Sequence, residues 1–210
     1  MKNQKVLTLT QNALLTALVL LLAFVPQIGY IRVPVLAIQA TTVHIPVIIG
    51  SILLGWKSGA FLGAVFGLTS LINNTMAPAL TSFCFSPFVE VGEGMGGSPL
   101  ALVVCFVPRI LCGIVPYFVY KALFKKCNGK LSCLLGGIAG SLTNTILVMG
   151  MIYLFFGQSY ATARGIAYDA VIGVILSVVA INGTIEAIIA AVLASAVVIA
   201  ITKANIIMRK

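Results

Sequence analysis

The chain has 210 residues, of which 60% are apolar and 8% are charged, and its formal net charge is +9. Soluble domains carry about 25% charged residues, so the composition excludes a soluble globular domain, and we expect lipid to cover part of the apolar surface. Nucleic-acid binding is also excluded, because the basic residues flank apolar segments and do not interleave with aromatic side chains.

The apolar runs predict an all-α integral membrane protein with six transmembrane helices in a single membrane domain, residues 1–210. The first run follows Lys2 and Lys5, and we expect it to be a retained helix because no clear cleavage site follows it. The six predicted helices span about Leu7 to Pro26, Thr41 to Leu54, Gly59 to Ile72, Pro99 to Phe124, Leu131 to Phe156 and Thr184 to Ile201.

Two short connections separate the first three helices. Tyr30 to Pro34 is predicted to be a short break between two helices and contains Arg32. Gly55 to Gly59 is predicted to be a tight turn with an interfacial Trp56. A glycine recurs every four residues along one face of the third helix, which predicts that another helix backbone approaches closely there. These glycines are Gly55, Gly59, Gly63 and Gly67.

Two longer segments have loop composition. Asn73 to Ser98 is either a flexible connection or a lid over a binding site, since long loops in compact proteins are often functional. Gln158 to Asp169 is expected to be a polar loop. The apolar stretch Ala170 to Ala180 is too short to span, so we interpret it as a partly inserted helix on the outer side, or else as part of the last span.

The distribution of Lys and Arg predicts that both termini are cytoplasmic, because basic residues favour the cytoplasmic side. Only Arg32 and Arg164 fall on the outer side, and Arg109 lies within the membrane. The residues assigned to the inner side are Lys2, Lys5, Lys57, Lys121, Lys125, Lys126, Lys130, Lys203, Arg209 and Lys210.

Arg109 is the most informative candidate for a binding site. It lies about ten residues into its helix, roughly 15 Å from the outer end at 1.5 Å per residue. A charge at that depth is costly unless it is paired or hydrated, and a guanidinium suits a carboxylate or phosphate held by two hydrogen bonds. Arg109 therefore either contacts the substrate or forms an ion pair with Glu186, and the two roles can coexist.

Four other polar residues in apolar surroundings are candidates for substrate contact. Asn182 and Glu186 share one helix face, and Asn182 could instead cap the last helix. Asn144 lies deep in the fifth helix and needs a partner, either a neighbouring helix or a ligand. His44 near the outer end of the second helix is either a hydrogen-bonded structural residue or a ligand contact.

The sequence offers no candidate catalytic residue, cofactor site or metal site. It lacks the HExxH, GxSxG and Walker motifs and paired intramembrane aspartates. Any ATP-driven work must therefore come from a partner. A self-contained secondary transporter is an alternative, although no convincing internal repeat is present.

Three stretches resemble the substrate-binding S components of energy-coupling factor (ECF) transporters. Ala13-Leu14-Leu15-Thr16-Ala17 resembles the alanine motif that docks these subunits on the coupling subunit. Thr42 to Thr69 is similar to their region of helices two and three and is the most specific match. Asn182 to Glu186 opens the last helix, where the family often places a polar residue on the substrate. The small size and six predicted helices agree with the resemblance.

The resemblance implies a bacterial plasma-membrane protein that works with a transmembrane coupling subunit and two ATPase subunits. A vitamin would be bound in an outward cavity closed by the loops after helices one, three and five. Ala13 and Ala17 would lie on the docking face. The chain most resembles the pantothenate type, and a deep Arg109 with Asn144 and Asn182 suits a carboxylate with hydroxyls or an amide. Hydroxymethylpyrimidine, pyridoxine and niacin are the alternatives.

Overall fold

In a computed structural model, the structure describes residues 2–25, 29–33, 38–92, 96–126 and 128–204. A hairpin of two antiparallel strands, β1 (Tyr30–Val33) and β2 (Ile38–Thr41), joins the first two helices. The α-helices within these described ranges are α1 (Lys2–Phe24), α2 (His44–Leu54), α3 (Trp56–Met76), α4 (Leu100–Phe124), α5 (Gly129–Arg164) and α6 (Tyr168–Lys203).

The helices confirm an α-helical protein with several segments suited to a membrane. Four helices in the described part of the chain, α1, α4, α5 and α6, are long and apolar enough to span a bilayer. Helix α2 has 11 residues, which is short for a span, and α3 has 21 residues. The β-hairpin is a departure from the all-α expectation, because the segment around Arg32 was expected to be an unstructured break.

Two predicted boundaries are wrong at the ends of α2 and α3. The turn expected over Gly55 to Gly59 is reduced to Gly55, whose φ of 99° favours glycine, and α3 begins at Trp56. At its other end α3 continues past Ile72 to Met76. Asn73 lies inside the helix, and its side-chain amide donates to the carbonyl of Ala23 at 2.8 Å.

The last third of the chain differs most from the prediction. Helix α5 continues to Arg164, so the polar loop expected over Gln158 to Asp169 is wrong. The stretch from Ala170 is part of α6, as in the second of the two interpretations. A π-helical turn at Val179–Gly183 joins the two parts of α6 without a break.

The helices alternate in direction along the chain. Positions on α3 rise as the facing positions on α4 fall, since Gly59 faces Gly113 and Gly67 faces Cys105. Helices α1 and α3 are parallel, because Asn12, midway along α1, bonds Ser58 near the start of α3, and Asn73 near the end of α3 bonds Ala23 near the end of α1. The beginnings of α1, α3 and α5 therefore lie at the same end of the bundle as the ends of α4 and α6, which we call the basic end. The described lysines of these segments are Lys5, Lys57, Lys121, Lys125, Lys126, Lys130 and Lys203.

The glycine repeat confirms the predicted close helix contact. A Cβ built on Gly59 would lie 1.9 Å from the carbonyl oxygen of Gly113, and one on Gly63 would lie 2.3 Å from that of Arg109. Both distances are shorter than any real Cβ contact, so the backbones of α3 and α4 touch. The contact includes the turn of α4 that carries Arg109.

Three apolar clusters fill the interior. The floor cluster lies towards the basic end and includes Ile48, Cys112 and Ala190. The roof cluster, at the opposite end, contains Phe83 from the α3–α4 loop with residues of α4, α5 and α6. The third joins α1, α2 and α3 and includes Phe66. The polar residues described below lie between these clusters.

Candidate functional site

The site occupies one layer of the bundle, one helical turn from the floor cluster. Ile48, Cys112 and Ala190 belong to that cluster. On α2 and α6, His44 and Glu186 precede Ile48 and Ala190 by four residues, and on α4 Arg109 precedes Cys112 by three. Residues three or four apart share a helix face. Because all three helices run towards the basic end, these polar side chains stand on the side of the floor opposite that end.

Helix α5 contributes polar groups to the same layer. Gly140 packs against the floor, since a Cβ there would lie 2.9 Å from Cγ1 of Ile48. One turn further from the basic end, Asn144 and Thr145 are buried, as is Ser141. Small Gly140 thus lets α5 approach α2, and the turn after it presents three polar side chains to the interior.

Arg109 is held by its own helix and by aromatic rings. Its side chain is 7% exposed, and Nη1 donates to the carbonyl of Val104 at 2.8 Å. That carbonyl has no intrahelical donor because the residue four positions later is Pro108, which lacks an N–H. The guanidinium carbon also lies 5.6 Å from the ring centroid of Phe66 and 5.1 Å from that of Phe85, distances that allow cation–π attraction.

The second nitrogen of the guanidinium connects Arg109 to α3. Nη2 donates to the hydroxyl oxygen of Ser70 at 3.4 Å, a long bond. These contacts orient the guanidinium between α3 and α4.

Glu186 is surrounded by hydrogen-bond donors from the hairpin and α5. Its Oε1 accepts from the backbone N–H of Thr41 at 2.7 Å and from the Thr41 hydroxyl at 3.1 Å. Its Oε2 accepts from the hydroxyl of Thr145 at 3.2 Å. The carboxylate therefore ties the end of β2 to α5 and α6. In the described part of the chain, these hydrogen bonds of Glu186 come from threonines.

His44 lies beside the Glu186 network. Its side chain is 1% exposed, and Nδ1 is 3.5 Å from the hydroxyl oxygen of Thr41. The other ring nitrogen, Nε2, is buried and has no hydrogen-bond partner among the described residues. The same is true of Oδ1 of Asn144 and of the hydroxyl of Ser141. Buried polar atoms are rarely left unbonded in proteins, so these atoms are places where a ligand or water can bind.

The structure places the remaining candidates as follows. Asn182 is half-buried within the π-helical turn, so it does not cap a helix, because α6 is continuous there. π-Helical turns are frequent at functional sites.

Ala13 and Ala17 are exposed on α1 beside Leu14, which is 72% exposed. They lie on the outer surface of the bundle, away from the polar layer.

Sequence reasoning missed Thr41, Thr145, Ser141 and Phe85. Threonine and serine are common in apolar helices because they can donate to their own backbone, so Thr145 and Ser141 carry no signal of their own. The sequence indicated that these two threonines could belong to the site only through their positions next to Asn144 (Thr145) and three residues before His44 (Thr41). Phe85 lies in the loop, where the sequence gives no contact information.

The first part of the α3–α4 loop, residues 77–92, covers the Arg109 side of the site. Phe83 is 0% exposed and packs edge-on against Phe156 of α5, with ring centroids 6.0 Å apart. The neighbouring Cys84 is also buried, and burial raises the pKa of its thiol to about 12. The thiol stays neutral, and the loop is anchored by apolar contacts close to Phe85 above the guanidinium.

The chain matches known proteins over most of its length. The family model for the ECF transporter, substrate-specific component, matches residues 7–198. The pantothenic acid transporter PanT of Lactococcus lactis subsp. cremoris is 46% identical over 168 residues, which cover 80% of this chain and 80% of that protein. The pantothenate transporter PanT of Leuconostoc mesenteroides subsp. mesenteroides is 28% identical over 203 residues, 94% of this chain and 93% of that protein.

Proposed function

The chain belongs to the substrate-specific components of ECF transporters, and from this we propose that it binds pantothenate at the outer side of the bacterial cell membrane for import. Two pantothenate transporters among its relatives support this substrate. The chemistry of the site supports it as well, because pantothenate has a carboxylate at one end, hydroxyls at the other and an amide between them.

The observation that carries this choice is the buried guanidinium of Arg109. The guanidinium presents N–H donors in a planar fork that matches a carboxylate, and two of its nitrogens already bond Val104 and Ser70, which orients it. A bidentate arginine–carboxylate pair is among the stronger hydrogen-bonded contacts in proteins. Removed from water beneath Phe85, it would be weakly screened.

The other candidates would receive the rest of the substrate. Asn144, His44 and Glu186 lie in the same layer as Arg109, and Asn182 lies four residues before Glu186 on α6. The hairpin and the α3–α4 loop flank this layer and would close over the ligand. The α5–α6 connection is only residues 165–167 and has little chain with which to close anything.

We propose that all six helices reside in the membrane and that both termini face the cytoplasm. The basic end collects the lysines of α1, α3, α4, α5 and α6, which favours that end as the cytoplasmic one. Helix α2 is short, but the β-hairpin precedes it and extends the same segment towards the outer side. The binding layer then lies between the bilayer centre and the exterior.

Transport would require partners. The sequence contains no Walker motif, so ATP hydrolysis would come from two ATPase subunits through a transmembrane coupling subunit. Helix α1 offers a docking surface, because only 11% of its span is buried within the chain. Ala13 and Ala17 on that surface would allow close helix contact. No residue is assigned a catalytic role.

The experiment that tests the proposal is equilibrium binding of radiolabelled pantothenate to the purified chain in detergent, without partner subunits. We expect saturable one-to-one binding. Arg109→Ala should weaken it at least about 30-fold, since removing one partner of a buried charge pair costs 2–5 kcal/mol and 1.4 kcal/mol is tenfold.

Arg164→Ala is the matched control, because Arg164 is an exposed arginine on α5 stacked on Tyr160. It should bind like the wild type. Tight binding of pyridoxine, niacin or hydroxymethylpyrimidine in place of pantothenate would overturn the choice of substrate. Uptake into liposomes by the chain alone, driven by an ion gradient, would instead indicate a self-contained secondary transporter.

A further inference from the structure

The far end of α3, opposite the basic end, and the loop that follows it carry no charge. Every residue between Lys57 near the start of α3 and Glu90 in the loop is uncharged. Because α3 ends at Met76, the uncharged run continues well beyond the helix. Loops that lie in water are usually polar, so this composition indicates a different environment for the first part of the α3–α4 loop.

Three large apolar side chains are exposed around the end of α3. Met76 is 80% exposed, Phe88 is 76% exposed and Leu80 is 51% exposed. In the same loop, Phe83 is fully buried and belongs to the roof cluster. The loop is therefore apolar on its outer surface as well as on the side that faces the protein. Extended exposed apolar patches mark surfaces that contact a partner or a membrane.

Hydrogen bonds place Phe88 beside the last turn of α3. The hydroxyl oxygen of Ser86 lies 2.7 Å from that of Thr75, the residue before Met76. The same oxygen accepts from the backbone N–H of Phe88 at 3.2 Å. One hydroxyl thus connects Phe88 to the turn of α3 that carries Met76.

A second hydroxyl places Leu80 at the same turn. Ser82 donates to the side-chain oxygen of Asn74 on α3 at 2.7 Å. Its hydroxyl oxygen also accepts from the backbone N–H of Ala79, the residue before Leu80, at 2.9 Å. We call the exposed side chains of Met76, Leu80 and Phe88 around this turn the apolar patch.

The length of α3 places the apolar patch at the edge of a bilayer. Helix α3 has 21 residues from Trp56 to Met76, so it is about 30 Å long, which matches the hydrocarbon thickness. At an average tilt of about 20° it still rises about 28 Å. Trp56 is exposed at the basic end beside Lys57, the position of an interfacial tryptophan. Met76 then lies at the opposite boundary of the hydrocarbon.

The apolar patch continues the outward-facing side of α3. Phe61, Leu68 and Met76 are exposed at spacings of seven and eight residues, which place them on one helix face. In a membrane this face contacts acyl chains. Leu80 and Phe88 extend it past the end of the helix, so lipid fits the patch better than a separate protein partner does.

We propose that Met76, Leu80 and Phe88 insert into the outer leaflet of the bilayer, at the boundary between headgroups and acyl chains. The loop is then held by the roof cluster through Phe83 on its inner side and by lipid on its outer side. This inference uses the proposed placement of α3 in the membrane, goes beyond the binding function, and is independent of the substrate.

Tryptophan fluorescence in lipid nanodiscs tests the proposal, because Trp56 is the one tryptophan of the chain. The double variant Trp56→Phe with Phe88→Trp moves that fluorophore to the loop, and the wild type supplies the reference at the basic end. The quencher is phosphatidylcholine brominated on its acyl chains near the glycerol. It should quench the two proteins to within about twofold of each other, because interfacial side chains lie about 5–10 Å into the headgroup–acyl boundary.

Trp56→Phe with Glu90→Trp is the control in the same loop, since Glu90 is exposed and is the charge that ends the uncharged run. Iodide in the water should quench this control at least about threefold more strongly than the Phe88→Trp variant, because an ion does not enter hydrocarbon. If Phe88→Trp does not fold, Met76→Trp in the same Trp56→Phe background tests the same patch.

The outcomes separate this inference from the proposed membrane placement. Equal quenching of the Phe88→Trp and Glu90→Trp variants by iodide would show that the patch lies in water, and the inference would be wrong. Protection of the Phe88→Trp variant from both quenchers would mean that a protein surface, such as a second copy of the chain, covers the patch in place of lipid. If brominated lipid also fails to quench Trp56 of the wild type, the placement of α3 in the membrane fails with the inference.

Discussion

The two sides of the polar layer are covered in different ways. Over Arg109, the α3–α4 loop is anchored by fully buried apolar side chains, and α4 beneath it touches the backbone of α3. Over Glu186, the hairpin is tied down at Thr41 by hydrogen bonds to a single carboxylate. Among the contacts of the described residues, apolar packing holds the first cover and hydrogen bonds to Glu186 hold the end of the second.

This difference indicates how a substrate could enter. Opening the α3–α4 loop would expose Phe83 and leave a void beside Phe156, whereas moving the hairpin exchanges hydrogen bonds that water or substrate hydroxyls can also make. We therefore expect the Arg109 side to remain fixed and the hairpin side to open. The following substitutions test the contrast, from the largest expected effect to the smallest.

Phe83→Ala should remove the anchor of the α3–α4 loop. Replacing a buried phenylalanine by alanine costs about 3–5 kcal/mol, so thermal unfolding in detergent should shift to clearly lower temperature, and pantothenate should dissociate faster. Phe88→Ala is the control in the same loop, because Phe88 is 76% exposed. Equal effects of the two substitutions would show that apolar packing does not hold this cover.

Gly63→Ala should disturb the fixed side from below. The new methyl group would meet the backbone of Arg109 and Ile110, and overpacking of this kind costs about 3 kcal/mol when the obstacle cannot move. Both unfolding temperature and pantothenate affinity should fall. Gly150→Ala is the control within a helix, because nothing lies within 4 Å of its Cβ position. It should be neutral or stabilising by up to about 1 kcal/mol.

Thr145→Val should weaken the hairpin side only. It removes a hydroxyl that lies within hydrogen-bond distance of the carboxylate of Glu186 and of the carbonyl of Ser141, and a bond to a charged group is worth about 1.5–3 kcal/mol. Hydrogen exchange of the β2 amides should accelerate while that of the α3–α4 loop stays unchanged. Thr143→Val is the control two residues earlier, since Thr143 bonds only the carbonyl of Ala139 in the described chain. Equal acceleration in both regions would contradict independent covers.

The helical framework was predictable because its signals are local. Apolar runs located all six helices, and the four-residue glycine repeat predicted the close contact that Gly59 and Gly63 make with α4. Arg109 could be singled out because a deep charge is costly wherever it points. These features depend on composition and spacing within one segment.

The features that were missed depend on contacts between segments. The continuity of α6 is preserved by a π-helical turn, although Asn182-Gly183 has turn composition. Gln158 is itself a good helix former, and α5 continues past it because Tyr160 and Ala161 are buried in the roof cluster. Thr41 and Thr145 matter only because they meet at Glu186, 145 and 41 residues away in sequence. No pattern within a single helix reveals such a meeting point.

The position of bound pantothenate tests the central claim most directly. We expect a structure of the liganded protein to show its carboxylate within about 3 Å of the guanidinium nitrogens of Arg109, with its hydroxyls turned towards His44 and Glu186. A carboxylate bound anywhere else, with Arg109 still bonded only to protein groups, would contradict it.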